Sequence, residues 1–183
     1  MTDAASINTP VLILPGLGGS GPDHWQTRWA RRHPEFVTVV QDDWEKPDLA
    51  AWIARLDQAV IAAPAPPVLV AHSLACLLVP LWDAACAQRA VRSALLVAPP
   101  DPAAPAFPAE AAEFARLPRM PLTFPSLVVC SSDDPYCSVE RSRALAGIWR
   151  SEMVEIGAAG HINSASGLGD WDAGYALLQQ LSG

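Results

Sequence analysis

Val68-Leu69-Val70-Ala71-His72-Ser73-Leu74-Ala75-Cys76-Leu77-Leu78 is an apolar run interrupted by one histidine and one serine. Its first half is a short continuous run of bulky β-formers, the pattern of a strand buried on both faces. Its second half continues as a stretch apolar nearly all round, the pattern of a buried helix. A tight turn between such a strand and such a helix lifts the serine hydroxyl clear of the sheet, the geometry of a nucleophile elbow spelled G-x-S-x-G. Ala71 and Ala75 stand at the two glycine positions. Small side chains serve the same need, because strand and helix backbones cross closely there.

Working outward, further apolar runs recur at regular spacing. Val11–Leu14, Ala94–Val97 and Leu127–Cys130 read as buried strands beside Val68–Val70. Phe36–Val40 and Met153–Ile156 are more mixed, as strands near a sheet edge are. Helical patterns lie between them. Asp23 is the expected cap of one helix, with Gln26 reaching back to complete a capping box. Asp48 caps a second helix striped by Leu49, Trp52, Ile53, Leu56 and Val60. The helix from Leu74 to Ala87 should be central, although Pro80 inside it removes a hydrogen bond at a cost of about 3 kcal/mol unless a kink accommodates it. Ala144, Leu145 and Ile148 stripe a helix behind Ser138, and Trp171, Tyr175, Leu178 and Leu181 stripe the last one. Strands alternating with helices indicate βαβ units and a three-layer α/β/α sandwich.

The 183 residues suit one domain spanning the chain, with residues 1–9 expected to be flexible. Hydrophobic residues make up 51% and charged residues 17%, a globular composition. The net charge of −7, with no cluster of lysine or arginine, argues against nucleic acid and anionic membrane surfaces as partners. Met1 to Pro10 lacks the basic-then-apolar pattern of a signal peptide, and no apolar run approaches the ~20 residues of a spanning helix. The cysteines at 76, 86, 130 and 137 have no metal-site spacing, so no metal is expected and free thiols in a reducing cytoplasm are. Residues 99–125 hold eight of the eighteen prolines. That stretch should lie over the C-terminal edge of the sheet, where ligands bind in open α/β sheets, either as a short cap or as an irregular crossover with two turns of helix over Ala109–Leu117.

A serine hydroxyl is a poor nucleophile at neutral pH and needs an imidazole to take its proton and a carboxylate to orient that imidazole. Ser131-Ser132-Asp133-Asp134-Pro135 follows one strand and Gly157-Ala158-Ala159-Gly160-His161 follows the next. With Ser73 they run in the order Ser, acid, His of α/β-hydrolases, each just past a strand C-terminus. His161 is the candidate base. His72 should point away from Ser73 and pack or bond locally, and His33 should be solvated. Asp133 and Asp134 compete for the acid. Asp134 is preferred, because Pro135 biases it to an extended conformation, leaving Asp133 to bond nearby amides as a turn residue. An oxyanion hole would use the backbone N–H of Leu74, at a helix N-terminus, and that of Leu17 in the loop after the first strand. Gly16, His24 and Trp25 are the candidates for the substrate pocket, His24 with capping or packing as its alternative role. Gly16, Gly18 and Gly21 also spell G-x-G-x-x-G, and Asp42 and Asp43 follow at the distance a dinucleotide fingerprint requires, so nucleotide binding is a rival reading. It leaves Ser73, Asp134 and His161 unexplained.

Leu14-Pro15-Gly16-Leu17-Gly18-Gly19, His24-Trp25, Ala71-His72-Ser73-Leu74-Ala75, Ser132-Asp133-Asp134-Pro135 and Gly160-His161-Ile162-Asn163, with Gly167 and Trp171 beyond, together resemble small serine hydrolases related to retinoblastoma-binding protein 9, including compact bacterial members. The resemblance spans nearly the whole chain and departs at Ala71 and Ala75. It implies a reduced α/β-hydrolase fold without the usual first two strands, six parallel strands in order 2-1-3-4-5-6, and Ser73, Asp134 and His161 as catalytic residues. It further implies hydrolysis of a small ester or amide without a cofactor. Members of that group are also linked to protein binding, so a binding module on a hydrolase scaffold is the alternative, with Trp25, Trp29 and Trp44 as contact residues if exposed.

Overall fold

The computed structural model describes residues 7–86 and 89–183. Its strands are β1 (Val11–Leu14), β2 (Val37–Thr38), β3 (Val68–His72), β4 (Ser93–Val97), β5 (Ser126–Cys130) and β6 (Glu152–Glu155). They form one parallel sheet in the order β2-β1-β3-β4-β5-β6, as expected. Alternate side chains along each strand leave on opposite faces, so the continuous apolar runs feed two cores. Leu12, Leu14, Leu69, Ala71, Leu96 and Val128 pack against α2 (Leu49–Ala62), α3 (Ala75–Ala85) and α4 (Val139–Trp149). Val11, Ile13, Val68, Val70, Leu95 and Val129 pack against α1 (Trp25–Arg32) and α5 (Asp172–Ser182). Three layers follow from that division.

Most expected elements appear at or near their expected positions. β2 is shorter than the run Phe36–Val40, because Val37 and Val40 are exposed and only the backbone near Ile13 is paired. α3 begins at Ala75 and continues through Pro80, while Ala87, the expected end, lies outside the described residues. Residues 1–6 of the expected flexible segment lie outside them too; Ile7 is buried and Thr9 donates to the Ser182 carbonyl. The start of α1 differs from expectation. Asp23 is exposed and pairs with Arg28, whereas His24 caps the helix by accepting the Gln26 N–H on Nδ1. His33 is half-buried rather than fully solvated: it stacks on Phe36 and Tyr175, with Nδ1 beside Glu35. Among the described residues no helix is long and apolar enough to cross a membrane.

Candidate active site

β3 ends at His72 and α3 begins at Ala75, leaving Ser73 and Leu74 to make the turn. Ser73 adopts a left-handed φ of 53°, a conformation costly for a non-glycine residue and typical of functional turns. Ala71 and Ala75 are fully buried on either side. Gly16 explains the demand for small residues from the other direction. A Cβ there would sit 2.8 Å from the His72 carbonyl oxygen and 2.9 Å from the Ser73 Cβ. The elbow is thus clamped between the loop after β1 and its own helix.

The turn delivers Ser73 to the loops after β5 and β6. Ser73 Oγ lies 2.8 Å from His161 Nε2. His161 Nδ1 lies 3.0 and 2.9 Å from the two carboxylate oxygens of Asp134, whose side chain is 2% exposed. A carboxylate can only accept, so Nδ1 carries the proton and Nε2 is left to accept from the serine hydroxyl. Asp133 points elsewhere. Its Oδ1 accepts from Ser131 Oγ at 2.7 Å and from the Gly160 N–H at 2.7 Å, and these bonds hold its carboxyl below the usual range.

Three further anchors fix the His161 loop, and none of them was anticipated. Ser131 Oγ accepts the Ala159 N–H at 2.9 Å. His72 Nε2 donates to the His161 carbonyl at 3.0 Å, so its bond is long-range rather than local. Trp25 Nε1 donates to the Ile162 carbonyl at 2.8 Å. The Ile162 side chain is fully buried although its φ is 48°. The adjacency of His24-Trp25 and of His72-Ser73 was the available signal, but neither neighbour pair reveals a partner far away in sequence.

An open cleft of about 470 Å³ lies over Ser73. Leu17 and Leu74 line it from the elbow side, Tyr136 and Ala165 from the side of His161, and Phe107 from above. Pro100 and Pro108 also line it, so the proline-rich segment contributes one wall. Within that segment the helical turns are a 3₁₀-helix at Ala109–Ala115. Of the three pocket candidates only His24 lines the cleft. Gly16 is buried against the elbow, and Trp25, at 1% exposure, is turned into the core against Trp29 and Trp171. His24 and His72 stack edge to face at 4.7 Å, and His72 lies 5.1 Å from His161. Burial, reinforced by His161, lowers His24 to about 4. Burial pushes His72 well down as well, with His24 and His161 adding to the effect.

The rival features are absorbed by the fold. Trp25 and Trp29 are buried and Trp44 is half-buried, so they present no exposed aromatic face. In the glycine-rich loop, the Gly18 N–H bonds the Trp44 carbonyl and the Gly19 N–H bonds the Gly16 carbonyl. Asp42 pairs with Arg55, and Asp43 accepts the N–H groups of Glu45 and Lys46.

Comparison with known proteins gives a family for the chain and solved structures of the same fold. The serine hydrolase family matches residues 11–180. A YdeN-like hydrolase of Pectobacterium atrosepticum is 31% identical over 95% of this chain and 90% of its own, with a TM-score of 0.85. The ydeN gene product of Bacillus subtilis is 20% identical over 95% of this chain and 98% of its own, with a TM-score of 0.83. Est1E of Butyrivibrio proteoclasticus, solved with ferulic acid, shares the fold at 14% identity, 100% coverage of this chain and 94% of its own, and a TM-score of 0.68. No protein with a curated description matches the chain.

Proposed function

The chain belongs to the serine hydrolase family, and from that premise we propose that it hydrolyses small carboxylic esters or amides through an acyl-enzyme on Ser73. The quoted motifs support kinship with the group around retinoblastoma-binding protein 9 as part of the same proposal. His161 takes the Ser73 proton on Nε2 while Oγ attacks the substrate carbonyl. The Leu74 N–H, at the start of α3, and the Leu17 N–H hold the oxyanion. Asp134 keeps the imidazole in the required tautomer and stabilises it once charged. His161 then protonates the leaving alcohol or amine. Water, deprotonated by the same ring, attacks the acyl carbonyl and releases the carboxylic acid and the free serine. No cofactor takes part. The three free buried thiols among four cysteines fit action in a reducing cytoplasm.

One observation carries this reading. A single imidazole bridges the hydroxyl at 2.8 Å and the carboxylate at 2.9 Å. The burial of Trp25 and Trp29 favours it over a binding module. The test is a panel of chromogenic acyl esters and aminoacyl amides on wild type and Ser73→Ala. Loss of a triad member should lower kcat by on the order of 10⁶-fold. A fluorophosphonate should label the wild type once, at Ser73. Full activity in Ser73→Ala would end the proposal.

A further inference from the structure

His24 has an unused donor. Its Nδ1 accepts the Gln26 N–H at 3.2 Å, so in the neutral ring the proton sits on Nε2. That Nε2 is buried without a hydrogen-bond partner among the described residues. The residue is 3% exposed yet lines the cleft over Ser73. An unpaired buried N–H is a standing energetic cost that calls for an explanation at the site where it occurs. The low pKa of about 4 keeps the ring neutral, and so keeps this tautomer, through the physiological range. Along the wall the His24 ring is 4.7 Å from that of His72, which is 5.1 Å from that of the base. His24, His72 and His161 thus form a continuous row of rings along the wall that leads to Ser73.

The rest of the lining narrows the partner. Among the described residues the cleft is bounded by no Asp, Glu, Lys or Arg. It has nothing to neutralise a charged substrate. Leu17, Leu74 and Phe107 instead offer apolar surface to a short chain.

Resting on the hydrolase reading above, we propose that His24 is a substrate-positioning residue whose Nε2–H selects uncharged esters or amides carrying a second oxygen acceptor a few bonds from the scissile carbonyl. An ether, hydroxyl or keto oxygen fills that place; a plain alkyl chain leaves the donor unpaired. A site built to bond an oxygen discriminates against the analogue lacking it because its own polar group is then left buried and unsatisfied.

Two isosteric probes test this, p-nitrophenyl methoxyacetate and p-nitrophenyl butyrate, which differ by one oxygen for one methylene. His24→Asn retains a helix-capping oxygen for Gln26 but withdraws the donor from the cleft. The variant should lower the methoxyacetate-to-butyrate ratio of kcat/KM by about tenfold or more, chiefly through the KM for the methoxyacetate. Equal losses on both esters, or none on either, overturn the proposal. ¹⁵N-histidine NMR supplies a readout independent of turnover. The free protein should show His24 neutral and protonated on Nε2. In Ser73→Ala, which holds ester without cleaving it, that N–H signal should move with the methoxyacetate and not with the butyrate. A His24 protonated on Nδ1, or unmoved by the methoxyacetate, overturns the selection role even where a fluorophosphonate still labels Ser73 of the wild type. In that case hydrolysis stands and only the role of His24 falls. Failure of labelling together with an inert panel would instead sink hydrolysis itself.

Discussion

Asp133 and Asp134 are adjacent, share a loop and carry the same charge, yet the fold gives them different work. Asp134 is enclosed and faces the imidazole with both oxygens. Asp133 is exposed and ties the β5 loop to Gly160, one residue before His161. Asp134→Asn keeps the shape but offers an amide N–H or a poorer acceptor to Nδ1, which favours the wrong tautomer. Its kcat should fall by about 10⁴. Asp133→Asn keeps an oxygen that accepts the Gly160 N–H, so its kcat should stay within about tenfold of wild type. Steady-state kinetics on one ester checks both, and the reverse ranking would exchange their roles. The proline after Asp134 made this distinction legible in the sequence. What His72 and Trp25 do was not legible, because their partners are carbonyls 89 and 137 residues away. A backbone acceptor leaves no mark in residue type, so no pattern announces such a bond.

Elements were most legible where apolar period and burial agree. α2 has the expected cap, Asp48, and buries Trp52, Leu56 and Val60. α4 has the expected cap, Ser138, but its buried positions are Ser142, Leu145, Ala146 and Trp149, while Ala144 and Ile148 face outward. Ser142 disguised that stripe: a hydroxyl reads as solvent-facing, yet here it donates to the Cys137 sulfur. Gln26 was misread for a related reason. Its amide suits a capping box, but its Nε2 donates to the Leu14 carbonyl at the end of β1 and the Val70 carbonyl in the middle of β3. α3 tolerates Pro80 because the burial of Leu77, Leu78, Val79 and Trp82 outweighs one missing backbone bond. α5 carries a constraint of the opposite kind. A Cβ on Gly174 would lie 2.2 Å from the Trp171 ring, which is packed against Trp25 at 4.9 Å. In an exposed helix, glycine to alanine gains up to about 1 kcal/mol. Here overpacking at about 1–3 kcal/mol should win. Gly174→Ala should therefore lower Tm by several degrees in thermal unfolding. A rise in Tm would mean that Trp171 repacks freely, and that the Trp25 anchor of the His161 loop is softer than its geometry suggests.

At the scale of the whole molecule, the rim of the sheet gathers three imidazoles, and two of them are held neutral by burial. The unfolded chain binds a proton on each near the ordinary value of 6.5, whereas folded His24 does so only at about 4. Below pH 6.5 the unfolded state therefore takes up more protons than the folded one, and stability falls as pH falls. Each such site contributes a slope of about 1.4 kcal/mol per pH unit. For His24 the loss runs from about pH 6.5 to about pH 4, below which its ring charges in both states. Lower still, carboxylates take over: Asp57, held down chiefly by its hydrogen bond with Arg89, loses its contribution only as pH drops through its folded value. The signs coincide but the windows do not, which lets experiment separate them. Urea unfolding at pH 7.5, 6, 5 and 4.5 should show stability declining well above the carboxylate range. His24→Asn should flatten the decline between pH 6 and 4.5 by up to about 1.4 kcal/mol per unit, with the remainder carried by His72. Stability unchanged from pH 7.5 to 5 would mean that these rings charge in place, and a His24 that charges in the folded protein would hold no fixed tautomer with which to select an oxygen.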